Sequence, residues 1–468
     1  MIVEQLYTPC LAEAAYFIVS NGEAAVIDPL RESEPYMELA ARHNAEIKYI
    51  FETHFHADFV SGHLDLARKT GAQIVYGPTA SPGFNAHVAA DHEIFNLGEV
   101  RIKLLHTPGH TLESSTYLLI DEEGNDQAIF TGDTLFLGDV GRPDLAVKSD
   151  LGVYDLAGLL YDSLRKKIWP LADEITVYPG HGQGSACGKK MSAETIGTLG
   201  NEKATNYALN PELTKDQFIE LVTADLAPPP QYFPKNALLN KLGYSSLDVI
   251  MKRGLIALKP ADFEKMAAKE AVLVIDTRSA ADFAAGHITG SLFIGLDGGF
   301  APWVGALIES LETPILFIAE EGREEEVVTR LARVGYDSTV GYLQGGVAAW
   351  HASGRPLEQL AEIRPKDLAD LPDKEVRLLD VRKQTEYESQ YVIGARSFPL
   401  NSIYQNLDCL DPESTYYLHC QGGYRSMIAC SILLANGFKN IVNVQRGFEG
   451  LKETSMVLSA YHEPVTML

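Results

Sequence analysis

The 468-residue chain is short of cysteine, of clustered positive charge and of long apolar runs, and each shortage excludes something. Its five cysteines show no paired spacing, which argues against a disulfide framework and for a reducing compartment. Thirty-nine Lys and Arg stand against 63 Asp and Glu, a net charge of −24 spread along the chain without a basic run. Nucleic acid and anionic membrane surfaces are therefore not expected partners, and solubility explains the charge. No apolar stretch is long enough to span a bilayer, and the opening MIVEQLYTPCLAEAAYFIV lacks the basic start of a signal peptide. The expected location is the cytoplasm.

The length corresponds to about three domains, each large enough to bury its own core. Composition places boundaries at APPPQYFPKN (227–236) and at the polar SGRPLEQLAEIRPKD (353–367). The domains expected are residues 1–250, 259–358 and 359–462, with helices from about 201 to 250 completing the first. In that stretch NPELTKDQF carries a helix N-cap and little else.

What is present begins at THFHADF (53–59), where His54, His56 and Asp58 alternate as metal-ligand side chains and Phe59 follows where a fourth might stand. Downstream, TPGH ends at His110, TGDTLF carries Asp133 and YPGH ends at His181, each shortly after an apolar run that reads as a strand. Ligands at successive strand ends converge on one edge of a sheet. His43, His87, His92 and His351 lack such company and read as solvated or core histidines, and Asp28, in AVIDP, reads as an orienter of nearby loops.

On these residues, about 1 to 230 resemble the metallo-β-lactamase superfamily. In hydrolytic members an HxHxDH run and three later ligands build a two-metal site; here Phe59 removes one second-site ligand. What remains suits one metal, and paired imidazoles with a carboxylate are the ligand chemistry of non-heme Fe(II) oxygenases. The branch most resembled is the persulfide dioxygenases, which implies Fe(II), one per domain, held by His54, His110 and Asp133. Spacing alone does not choose that trio over His54, His56 and His110. The resemblance places His56, Asp58 and His181 around the ligands, orienting them or binding water on the metal. Human-type members keep a His where Phe59 stands, so the Phe does not define the branch. Arg142, in GDVGRPDL, corresponds to an arginine beside the active site, with a surface salt bridge as its alternative. Cys187, in HGQGSACGKK, is a candidate sulfur carrier, with Lys189 and Lys190 expected to favour its thiolate.

Near the other end, TYYLHC delivers Cys420 into QGGYRS before the helical-looking MIACSILLANGF. Cys420, Gly423 and Arg425 form a loop similar to the CxxGxR loop of rhodaneses, whose backbone N–H groups point inward, lower a thiol pKa and hold an anionic sulfur group. Related phosphatase loops are one residue longer, so the length favours sulfur transfer. Cys430 reads as a buried helix residue and Cys409 as an inert loop thiol.

Residues 271–294 parallel 376–400, and TPILFIAEEGREEEVVTRLARVGY parallels the Cys420 segment. The alignment puts Glu320 where Cys420 stands and Glu325 where Arg425 stands, so residues 259–358 resemble a rhodanese without its nucleophile, expected as a spacer or docking platform. The fold class expected is multidomain α/β: an αββα metallo-β-lactamase sandwich, then two rhodanese domains with parallel sheets.

Joined, the two ends imply oxidation of a thiol persulfide (on glutathione, coenzyme A or a similar carrier) by O2 to sulfite, coupled to sulfur transfer among persulfide, sulfite and thiosulfate. Tethering raises the local concentration of the shared intermediate, on the order of mM. The alternatives are a glyoxalase II-like thioester hydrolase joined to a sulfurtransferase, and a sulfur-sensing scaffold. The resemblance also implies a homo-oligomer, a dimer or tetramer.

Overall fold

A computed structural model describes residues 1–145, 151–226, 228–372 and 376–463. It divides into two compact units, the first built on Met1–Leu247 and the second on Asp248–Leu331 and the residues from Tyr336 onward.

The first unit is a sandwich of two six-stranded sheets. One runs in chain order through Ile2–Thr8, Glu13–Ser20, Glu23–Ile27, Glu46–Phe51, Gln73–Tyr76 and His87–Val88. The other is ordered Gly197–Thr198, Thr176–Pro179, Asp126–Gly132, Ser115–Ile120, Val100–His106 and Ile94–Leu97. Between them Tyr16, Ile18, Ile27 and Phe51 meet Ile102, Leu104, Tyr117 and Phe130. On the first sheet's outer face Tyr36, Leu39 and Leu66, from helices Glu34–Arg42 and His63–Thr70, pack on Phe17, Val26 and Ile50. On the second sheet's outer face Leu160 and Phe218, from Val153–Ser163 and Lys215–Thr223, pack on Ile129 and Val177. Covered on both faces, Glu13–Ser20 and Ser115–Ile120 are buried at every position instead of alternating.

The helices after residue 200 follow their local signals. Thr214 Oγ1 accepts from Gln217 N–H at 3.3 Å while Gln217 Oε1 accepts from Thr214 N–H at 3.0 Å, a reciprocal cap that starts Lys215–Thr223. Helix Phe233–Leu242 begins inside the expected boundary, of which residue 227 lies outside the described residues.

The second unit holds two five-stranded parallel sheets of identical order. One is Ala257–Leu258, Thr339–Leu343, Ile315–Ile318, Leu273–Asp276 and Leu292–Phe293; the other is Ala361–Ile363, Asn440–Val444, Thr415–His419, Leu378–Asp380 and Arg396–Ser397. The internal repeat in the sequence is thus a repeat of modules. The polar segment 353–367 is not all linker: Ala361–Ile363 pairs in parallel with Val442–Val444 at the edge of the last sheet, so its polarity reflects an exposed edge strand. Among the described residues no helix is long and apolar enough to cross a membrane.

Candidate functional site

The strand Glu46–Phe51 ends where the segment Glu52–Ser61 enters the interior, every residue of it buried. Buried loop backbone needs partners, and Asp28 supplies the first. Held at φ 49° just past its strand, it accepts from Thr53 N–H at 2.7 Å and Thr53 Oγ1 at 2.8 Å. Thr53 Oγ1 also lies 2.9 Å from His54 Nδ1, and the Arg142 carbonyl oxygen lies 2.8 Å from His110 Nδ1. With Nδ1 of both rings occupied, each presents Nε2 inward.

Asp133 meets them from the end of Asp126–Gly132. Its Oδ2 is 3.4 Å from His110 Nε2 and 3.9 Å from His54 Nε2, and the three ligand atoms lie within 4.8 Å of one another. That buried oxygen has no hydrogen-bond donor among the described residues. An orphaned carboxylate oxygen facing two oriented imidazole nitrogens is what a cation site requires, and two imidazoles with one carboxylate suit a borderline transition metal. The close approach depends on glycine at position 141, where a Cβ would stand 2.0 Å from the Asp133 carbonyl oxygen and 3.0 Å from His110 Nδ1.

The neighbouring candidates divide. His181 lies between carboxylates, Nδ1 2.8 Å from Asp133 Oδ1 and Nε2 2.7 Å from Asp58 Oδ2. Burial alone would lower its pKa, but Asp133 and Asp58 together raise it well above the ordinary range. Burial alone would raise Asp133, and His181, with His110 and His54, holds it far below. His56 does not join the trio. Its Nε2 turns to Asp28 Oδ1 at 3.0 Å and Glu52 Oε2 at 3.6 Å, and its ring lies beside those of His54 and Phe59 at 4.2 and 4.4 Å. Two buried carboxylates draw its outer nitrogen away from the trio, so it meets His54 by ring contact and not as a fellow ligand.

Cys187 is buried, and its thiol lies within 4.8 Å of ligand atoms of Asp58 and His181. The expectation that Lys189 and Lys190 favour its thiolate is overturned. Their backbone N–H groups donate to Asp139 Oδ2 at 2.5 and 2.6 Å, and Lys189 Nζ turns to the carbonyls of Leu221 and Ala224. Burial first, then the charges of Asp58 and Asp133, pushes the thiol pKa well up. Arg142 Nε and Nη2 each donate to Asp144 at 2.7 Å, so its guanidinium sits in an ion pair while its backbone oxygen fixes His110.

In the second unit Cys420 stands between strand Thr415–His419 and helix Tyr424–Ala435. Gly423, at φ 109°, donates its N–H to Cys420 Sγ at 3.1 Å, and Phe448 N–H donates to the Cys420 carbonyl at 2.7 Å. Arg425 donates to both Glu386 oxygens at 2.5 and 2.8 Å; its charge is balanced there and not free within the loop. Cys430 is buried within the helix and Cys409 is exposed. In the other module Glu320 lies between strand Ile315–Ile318 and helix Glu324–Arg333, whose second residue is Glu325.

Three contributors had no sequence signal that singled them out: Glu52, Asp139 and Asn240. Asn240 accepts from Ser61 N–H at 2.9 Å and donates to the carbonyls of His56 and Phe59, both at 2.7 Å. A buried asparagine on a helix becomes informative only once the distant loop it serves is known.

Two sheets packed face to face, with imidazoles and a carboxylate gathered where their strands end, make the first unit a metalloenzyme domain by architecture. The chain belongs to the metallo-β-lactamase superfamily, whose family model matches residues 8–181, and the rhodanese-like domain model matches twice, at 259–353 and 364–454. The Schizosaccharomyces pombe protein "Probable hydroxyacylglutathione hydrolase glo2" is 31% identical over 197 residues, 42% of this chain and 72% of its own length. A cytoplasmic hydroxyacylglutathione hydrolase of Arabidopsis thaliana is 32% identical over 180 residues, 37% of this chain and 66% of its own. The crystal structure of a metallo-beta-lactamase from Staphylococcus aureus superposes with a TM-score of 0.64 at 31% identity, covering 98% of that chain and 74% of this one. That span is more than the first unit alone supplies.

Proposed function

We propose that the chain is a persulfide dioxygenase joined to a sulfurtransferase. The observation that carries this reading is the His54, His110 and Asp133 trio, which gathers two imidazole nitrogens and an unpartnered buried carboxylate oxygen within 4.8 Å of one another. Phe59 stands where the resemblance puts a second-site ligand, while Asp58, His181 and the Cys187 thiol lie grouped beside the trio, within 4.8 Å of one another. Three protein donors leave coordination positions for two reactants, the arrangement of mononuclear iron oxygenases.

Ferrous iron, when bound, supplies oxygen activation. The chain's own part is to hold His110 by the Arg142 carbonyl, His54 by Thr53 and Asp133 by His181, and to keep the site dry. The balanced reaction is RSSH + O2 + H2O → RSH + SO3²⁻ + 2 H⁺. Cys420 then takes sulfane sulfur from a second persulfide, releasing RSH, and passes it to sulfite as thiosulfate; its thiolate is restored with no net redox change. A sulfur-carrying role for Cys187 would require its buried thiol to ionise against Asp58 and Asp133, and unchanged turnover and product ratio in Cys187→Ser would remove it.

The second reading is thioester hydrolysis, favoured by the names of the curated relatives. Anaerobically iron-loaded protein given glutathione persulfide decides between them. Oxygen uptake, with thiosulfate in the wild type giving way to sulfite in Cys420→Ala, supports the proposal. Oxygen-independent thioester turnover with two metal ions per chain overturns it.

A further inference from the structure

The module without a nucleophile touches the loop of the module that has one. Tyr424, between Gly423 and Arg425, donates its hydroxyl to the Gly295 carbonyl at 2.8 Å. Its ring lies over Gly298, where a Cβ would stand 2.3 Å from ring carbons, and 6.0 Å from the Phe293 ring. About two turns along the same helix, Ser431 Oγ accepts the N–H of Phe293, at the edge of the first module's sheet, at 3.0 Å. The helix that starts at the Cys420 loop is thus anchored at two points to the other module.

The receiving turn is itself braced, and the brace comes from the segment that replaced the nucleophile loop. Arg323, in EEGREEE, donates to both oxygens of Asp297 at 2.8 and 3.0 Å and to Glu326 Oε2 at 2.8 Å. Arg330 donates to the Leu296 carbonyl at 2.6 Å. Two cations therefore fix the Gly295–Gly298 turn against the helix whose equivalent carries catalysis in the other module. The acidic residues that make this segment useless for an anionic sulfur group keep Arg323 oriented.

We propose that the silent module is the positioning half of the sulfurtransferase site. Its Gly295–Gly298 turn, held by Arg323 and Arg330, seats Tyr424 and so sets the curvature of the Cys420 loop. Tyr424 and Arg323 are positioning residues in this account, and Cys420 alone bears sulfur. The geometry that matters is the direction of the loop N–H groups at Sγ, because those dipoles govern how readily the thiolate forms. The inference rests on the sulfurtransferase reading only for its biological purpose, since the contacts act on the Cys420 thiol whatever it transfers.

The test is the pH profile of Cys420 alkylation by iodoacetamide in the full-length protein, read by mass spectrometry of the Cys420 peptide. Wild type is compared with Tyr424→Phe, Gly298→Ala, Arg323→Ala and Arg323→Lys. The first three are expected to move the alkylation midpoint upward by about half a pH unit, roughly threefold slower reaction at neutral pH, with Arg323→Lys partly restored. Arg323 is a partly exposed ion-pair residue, so Arg323→Ala carries the test should Gly298→Ala fail to fold. Profiles superimposable on wild type in Tyr424→Phe and Arg323→Ala overturn the proposal and leave the module a spacer. Thiosulfate to cyanide sulfur transfer by the wild type tests the sulfurtransferase reading separately, so the two failures are distinguishable.

Discussion

Asn240 donates its side-chain amide to the His56 carbonyl at 2.7 Å, across 184 residues of sequence, and ties the last helix of the first unit to the loop that carries His54. The same amide serves Phe59 and Ser61, so one side chain satisfies three backbone groups of a buried, irregular segment.

Asn240→Ala leaves those groups unpaired in the interior. Each orphaned group costs about 1–3 kcal/mol, and with partial relaxation a total loss of roughly 2–4 kcal/mol is expected in urea unfolding of the first unit. Metal content of the purified variant should fall with it, since the His54 loop loses its tether. Asn240→Asp should do no better, because it cannot donate to two carbonyls.

Phe59→His tests what closes the second metal position. If Phe59 alone closes it, the variant gains a second ion. Asp58, His181 and the Cys187 thiol already lie within 4.8 Å of one another, so a histidine at position 59 adds a fourth donor beside that group. Metal analysis should therefore return two ions per chain, against one in the wild type. One ion would show that the contacts of His181 with Asp133 and Asp58, and not the phenylalanine, set the stoichiometry.

The local parts of this arrangement were legible in the sequence because their signals are short. THFHADF, TPGH and TGDTLF each place a candidate ligand a few residues past an apolar strand, and the repeat of TPILFIAEEG against TYYLHCQGG reappears as two sheets of one order. Where reasoning by proximity in sequence failed, chain direction was the cause. Lys189 and Lys190 follow Cys187 closely, yet Asp139 captures their backbone and the Lys189 ammonium points to helix-end carbonyls. Arg425 belongs to the loop motif, but its partner Glu386 lies 39 residues earlier. Glu52 and Asn240 act through contacts that no periodicity encodes.

His63 supplies a pH signature. It is fully buried beside Glu52, and burial first, then His56 and Arg31, brings its pKa down to about 3. It is neutral in the folded chain at neutral pH, while in the unfolded chain it takes up a proton near pH 6.5. Between those values the unfolded state binds the extra proton, so this contribution is intact above about pH 6.5 and is lost as pH falls, at up to about 1.4 kcal/mol per unit. Chelator-treated wild type should lose roughly 1 kcal/mol more than His63→Asn between pH 7.5 and 5.5 in denaturant unfolding. Equal losses would show that His63 does not control the acid limb.

Gly447 gives the sharpest separation of the two chemistries. It sits at φ 51°, and a Cβ there would stand 2.3 Å from the Cys420 carbonyl oxygen and 2.8 Å from that of Gln421. Both contacts are to backbone, which cannot rotate away, and the next residue, Phe448, donates the N–H that holds the Cys420 carbonyl. Gly447→Ala must therefore push the loop off its seat while leaving every side chain of the loop in place. The left-handed backbone adds about 1 kcal/mol of strain for alanine. Sulfur transfer to cyanide or sulfite should fall by at least about tenfold, since an ångström-scale displacement misaligns Sγ with the loop N–H groups. Oxygen uptake with persulfide, a property of the first unit in this reading, should stay within twofold of wild type, and sulfite should accumulate in place of thiosulfate. Transfer at the wild-type rate would mean that the Cys420 loop tolerates displacement and that its N–H geometry does not set the reaction.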